Sequence, residues 1–168
     1  AEDLVENSTF SGKVTIRFGT TVSISNPFEG KGVEVTETNG DVTVSATIAE
    51  IEYELSGTTT DGSLKIYSDK KFRLSLSGVS ITNPDGPAIN IQSGKRAFIV
   101  LTQDSDNQLT DGSSYKASCS EDMKGAFFSE GQLIFSGGGK LSVRSNYAHA
   151  IASDDYIRII DAAITVAG

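Results

Sequence analysis

Three groups of side chains in this 168-residue chain could do chemistry. The first is acidic. Glu130 and Asp154 occupy equivalent places in a repeat described below, with Asp155 beside them. Folding would therefore bring two or three carboxylates to neighbouring-strand distance, about 4.8 Å. Carboxylates so close repel unless a cation or proton intervenes, and an all-oxygen ligand set favours calcium. A solvated acidic turn is the plainer alternative. A second acidic group comprises Asn107, Asp111, Glu121 and Asp122. The loop from Asp104 begins like an EF-hand but has Leu109 where the glycine belongs and Tyr115 where the final glutamate belongs. Any calcium here would use an irregular set.

The second group is basic. Lys70, Lys71, Lys95 and Arg96 form the one concentrated positive stripe, able to hold uronate carboxylates through charge-assisted hydrogen bonds. The plainer alternative is charge on exposed turns. The third group is aromatic: Tyr147 and Tyr156 can stack on the apolar C–H face of a sugar ring. With no Trp in the chain, a flat Trp platform for crystalline cellulose is absent. His149, the one histidine, aligns in the repeat with Leu64, Ile89 and Gly125. Its default role is structural, and ligand binding is the other candidate. No nucleophile elbow accompanies it, so a Ser-His-Asp hydrolase is not indicated. Gly137-Gly138-Gly139 lacks nucleotide-binding spacing and reads as a bend.

Composition narrows the rest. One Cys (Cys119) excludes an intramolecular disulfide, and one His excludes a paired-His metal site within the chain. A net charge of −8 argues against nucleic acid, and no apolar run is long enough to cross a membrane as a helix. The chain is polar, with 17 Gly, 22 Ser and 15 Thr and only 38% hydrophobic residues. Alternation decides between disorder and β structure. Lys13 to Phe18, Leu64 to Tyr67, Phe72 to Leu76 and Leu141 to Val143 place apolar residues at every second position.

These runs must position the candidate groups through a repeat. A serine carries an apolar residue two before it and others four and six after it. The anchors Ser68, Ser93, Ser129 and Ser153 recur 25, 36 and 24 residues apart. The spacing predicts an all-β parallel β-helix, a solenoid of about five to six coils of roughly 24 residues. A β-sandwich is the rival. One inward stack would hold Ile66, Ile91, Phe127 and Ile151; a second Phe72, Ala97, Leu133 and Ile157; a third Leu74, Ile99, Phe135 and Ile159. Residues 1–168 then form one domain, with 1–41 as irregular coils or a cap and 103–124 as an insert-bearing turn. The anchor serines belong at bends, where a hydroxyl satisfies turn backbone groups.

The stretches LSGVSITNPDG (76–86), PAINIQSGKR, NQLTDGSSY, EDMKGAFFSEGQLIFSGGGKLSV, NYAHAIASDDYIRI and AAITV resemble the carbohydrate-binding β-helix domains of anaerobic bacteria, within the pectate-lyase-like superfold. The resemblance runs from about Thr43 to the C-terminus. It implies a right-handed, single-stranded parallel β-helix, secretion or surface display, bound calcium and a plant-type polysaccharide ligand, without demonstrated catalysis. The leading expectation is a non-catalytic carbohydrate-binding protein for a plant-type or mucosal polysaccharide, assisted by calcium. A structural adhesin stalk and a calcium-dependent polysaccharide lyase are the alternatives. Ala1 opens a polar segment with no leader, so export would require one removed or left out. The chain stops within an alternating run at Val166-Ala167-Gly168, an open edge that another chain could cover.

Overall fold

The computed structural model describes residues 2–115 and 123–168. Their apolar alternation resolves into sixteen strands and one turn of 3-10 helix, Val5–Asn7. The first seven strands are β1 (Gly12–Phe18), β2 (Ser23–Ser25), β3 (Val33–Thr38), β4 (Asp41–Ala46), β5 (Ile51–Thr59), β6 (Ser63–Ser68) and β7 (Phe72–Thr82). There follow β8 (Ile89–Ile91), β9 (Ala97–Leu101), β10 (Asp106–Thr110), β11 (Gly125–Ser129) and β12 (Leu133–Ser136). The last four are β13 (Lys140–Arg144), β14 (His149–Ser153), β15 (Ile157–Ile159) and β16 (Ala163–Ala167).

The all-β class holds, but the uniform parallel β-helix does not. The strands gather into two mixed sheets, one of ten strands and one of six, with order β14-β11-β8-β6-β4-β3 in the smaller. Two features break the regular solenoid. β1–β2 and β3–β4 pair antiparallel. In the second pair Thr38 faces Asp41 across Asn39 and Gly40, both at positive φ, so an Asn-Gly turn makes a tight hairpin. In addition, β7 is eleven residues long and turns at Gly78 (φ +83), where it changes partner. Its first half pairs with β9 and its second with β10, so the larger sheet branches into β9–β12–β15 and β10–β13–β16. The other pairs among the described residues are parallel, which also departs from an antiparallel sandwich.

Within this arrangement two of the expected stacks are present as continuous rows. Phe72, Ala97, Leu133 and Ile157 are successive partners, as are Leu74, Ile99, Phe135 and Ile159. The remaining stack is offset. Ile66 pairs with Ile91, and Phe127 with Ile151, but Phe127 faces Ile89 while Ile91 faces Ser129. A two-residue shift keeps every side chain on its original face, because the strand period is two, so the core survives it. That core is one cluster drawing on both sheets, from Val14 to Val143. Burying each large aliphatic or aromatic side chain contributes roughly 1.5–3 kcal/mol.

Candidate functional site

The turns that lead from the smaller sheet to the larger one carry most of the candidate chemistry. They follow β6, β8, β11 and β14, and each anchor serine sits at the bend. Ser68, Ser93, Ser129 and Ser153 each accept a hydrogen bond from the backbone N–H two residues on, at 3.0–3.3 Å. Ser93 and Ser153 also donate to carbonyls of the preceding turn, Ser68 O and Gly131 O, both at 2.7 Å. The hydroxyls thus tie each turn to itself and to its neighbour. Close stacking explains Gly131: a Cβ there would run into the carbonyl oxygens of Ser93 and Lys95.

Stacked turns bring the basic stripe together. Lys70, Lys71, Lys95 and Arg96, with Asp69, Gly94 and Gln132, line one open groove of about 380 Å³. Arg96 is the anchored member, its side chain only 18% exposed. Its Nη2 donates to the Tyr156 hydroxyl at 3.3 Å, and Tyr156 in turn donates to Asp3 Oδ1 at 2.7 Å. Arg158 Nη1 meets the other oxygen of Asp3 at 3.1 Å, and Arg96 Nε lies 3.0 Å from Oδ1. Asp3 is buried here. The Tyr156 hydrogen bond, followed by the two guanidinium groups, holds its carboxyl below the usual aspartate range, against the opposing effect of burial. Sequence spacing gave no hint of Asp3 or Arg158 in this site. The residues of the pair, Asp3 and Tyr156, lie 153 positions apart.

The expected calcium ligands are not gathered. Asp154 is paired to Lys124 Nζ at 2.5 Å, and Asp155 accepts from Gln132 Nε2 at 2.6 Å. These partners already neutralise or satisfy the carboxylates that were to share a cation with Glu130. Among the described residues no group of three or more His, Cys, Asp and Glu side chains is placed to hold a metal. Asn107 is fully buried and saturated: its oxygen accepts from the N–H groups of Gly78 and Val79, and its amide donates to Ser105 Oγ and Lys140 O. It holds the bend of β7 in place. Glu121 and Asp122, like Cys119, lie outside the described residues.

Asp111 has a different role from the expected one. It is 2% exposed and its carboxylate accepts from the Tyr115 hydroxyl at 2.5 Å, Asn146 N at 2.6 Å and Ser145 Oγ at 3.3 Å. Burial, then this bond to Asp111, raises the pKa of the Tyr115 hydroxyl. Tyr115 stacks on Tyr147 with ring centroids 4.3 Å apart and planes at 27°. Tyr147 is 56% exposed. A buried carboxylate therefore holds one tyrosine as the backing for another that faces solvent. His149 opens β14 beside Gly125 and is exposed. A further concavity of about 740 Å³ lies elsewhere, among the turns holding Thr20, Glu37, Thr58 and Asp61, and was not anticipated.

The model of the carbohydrate-binding domain-containing proteins matches residues 38–168. The chain belongs to that family. A carbohydrate-binding domain-containing protein of Acetivibrio thermocellus is 33% identical over 118 residues, which cover 68% of this chain and 41% of that protein. The chain therefore spans less than half the length of this relative. Among solved structures, a polysaccharide lyase-like protein from C. thermocellum, in its gadolinium derivative, superposes with a TM-score of 0.79 at 27% identity. The superposition covers 92% of this chain and 61% of that one. Arg96, Tyr156, Arg158, Tyr115 and Tyr147 fall inside the family match, whereas Asp3 falls outside it.

Proposed function

We propose that this chain is a non-catalytic binding domain for a plant-type or mucosal polysaccharide that carries carboxylates. The observation that carries the proposal is the cationic groove: Lys70, Lys71, Lys95 and Arg96 converge on one surface of a chain whose net charge is −8. General acidity would repel an acidic polymer, so a local reversal of sign marks where one is held. Tyr156 borders the groove, and the Tyr115–Tyr147 stack offers a sugar-facing ring at another corner. A polymer of this kind is met outside the cell, so export or surface display belongs to the same proposal.

Affinity gels containing polygalacturonate, its methyl ester or a neutral glucan test it. The acidic polymer is expected to retard the protein, and the triple substitution Lys70→Ala, Lys71→Ala, Lys95→Ala to lower affinity at least tenfold. Equal mobility in every gel would sink the proposal. Retention measured with and without a chelator tests calcium assistance separately: loss of retention with the chelator would establish it. A second reading, polysaccharide cleavage, is favoured by the polysaccharide lyase-like neighbour. Elimination needs a base set against a C5 proton and leaves an unsaturated uronate. Ultraviolet absorbance growing with time in the presence of polygalacturonate would establish it; none is expected.

A further inference from the structure

We propose that Arg96, Tyr156 and Arg158 form a carboxylate-binding site for an acidic sugar, and that Asp3 of the N-terminal segment occupies it as an internal stand-in. The proposal rests on the reading of the chain as a carbohydrate-binding domain and adds a competitor to it. Two guanidinium groups and a phenol converging on one carboxylate are the donor set that recognises a uronate. Asp3 fills that position with both oxygens, Oδ1 toward Tyr156 and Arg96 and Oδ2 toward Arg158.

The stand-in fits imperfectly. Arg96 Nε is buried and lies 3.0 Å from Asp3 Oδ1, yet its N–H finds no hydrogen-bond acceptor. A buried donor left unpaired is costly, and a ligand carboxylate that is not tethered to this backbone can align with it. Besides Asp3, the described segment meets the sheet through Phe10, whose ring lies edge-on to Phe98 at 5.7 Å, and through a long Glu2–Arg96 pair at 4.0 Å. Phe98 and Ile134 are paired neighbours between the two arginine positions, Arg73 and Arg158, on the face of the larger sheet turned away from the core. The three donors belong to the region matched by the family, and the segment bearing Asp3 precedes that region.

A bound N-terminal strap lowers apparent affinity by the fraction of molecules in which the site is open. If the strap is closed in nine molecules of ten, freeing it improves the dissociation constant about tenfold. The probe is oligogalacturonate, with its methyl ester as the uncharged control, measured by calorimetry on the full chain. Asp3→Asn removes the competing charge, and Phe10→Ser loosens the strap without touching the donors. Both are expected to tighten oligogalacturonate binding about tenfold and leave the ester unchanged, while Arg158→Gln weakens it. Hydrogen exchange of residues 2–10 in the unsubstituted chain is expected to rise on saturation with oligogalacturonate. Unchanged affinity in both strap variants, or undiminished protection at saturation, overturns the proposal. So does failure of every variant to bind oligogalacturonate; retention by a neutral polysaccharide would then leave the carbohydrate-binding reading standing without it.

Discussion

Two aspartates in this molecule each accept a hydrogen bond from a tyrosine hydroxyl, and the two regions behave differently. Asp111 follows β10 and collects Tyr115, Ser145 and the backbone of Asn146, all from neighbouring turns. Its own carbonyl accepts from Asn146 Nδ2 at 3.0 Å, so main chain and side chain lock the same pair of turns. Asp3 instead reaches Tyr156 from 153 positions away and holds two arginines, one of which, Arg96, lines the surface groove. The first carboxylate is built into the stacking of turns. The second is brought to its partners by a segment outside the stacked turns, the one proposed above to yield to a ligand. The same chemical pair is a clamp in one place and a latch in the other, and the difference lies in what else fixes the backbone.

The comparison breaks most sharply at Asp111. Asp111→Ala strands the Tyr115 hydroxyl and the Asn146 N–H, and it is expected to lower stability by about 3 kcal/mol. Urea denaturation measures this; a loss below about 1 kcal/mol would show that the clamp is slack. Tyr53 supplies a control in which the hydroxyl has neither clamp nor latch. It is fully buried against Phe72, its oxygen has no partner among the described residues, and burial raises its pKa. Tyr53→Phe keeps the ring and removes the stranded group, so thermal unfolding is expected to show a gain of about 1 kcal/mol. A loss would mean that water reaches the hydroxyl.

The smallest expected effect on global stability is at the latch. Because the folded pKa of Asp3 is lowered, the strap contact is fully present above the ordinary aspartate range, near pH 4. It is lost as pH falls through the lowered value. Amide exchange of residues 2–10 is therefore expected to be slow at pH 5 and to approach that of a free peptide in more acidic solution, after correction for intrinsic rates. The core strands should keep their protection over the same range. Simultaneous loss in strap and core would erase the distinction between the two aspartates.

Much of the framework was legible because strand periodicity is a local signal repeated at fixed spacing. Phe72, Ala97, Leu133 and Ile157 could be placed in one row from the anchors alone. The offset at Ile91 could not, because the 36-residue interval between anchors conceals which of two inward residues meets its neighbour. Asn39-Gly40 did carry a readable hairpin signal, and it marks where a purely parallel reading fails. Asn107 and Asp111 were singled out as candidate calcium ligands, and their type alone does not separate a metal ligand from a satisfied buried group. The basic stripe was legible because its members sit at equivalent turns. Asp3 was not, since no pattern links a residue before the repeat to one near its end.

The paired rows also determine where a change in this sequence finds its remedy. Leu74 touches Ile99 in the next strand and, through it, Phe135 and Ile159, while its sequence neighbours face elsewhere. Ser93 completes the turn of Ser68 rather than only its own. An enlarged side chain at one such position would be relieved by a smaller one a repeat away, not by a change next door. Sequence drift in this chain should therefore be correlated at intervals of about 24, 25 and 36 residues, the spacing of the anchor serines. A set of variants selected for recovered stability would read out that spacing directly.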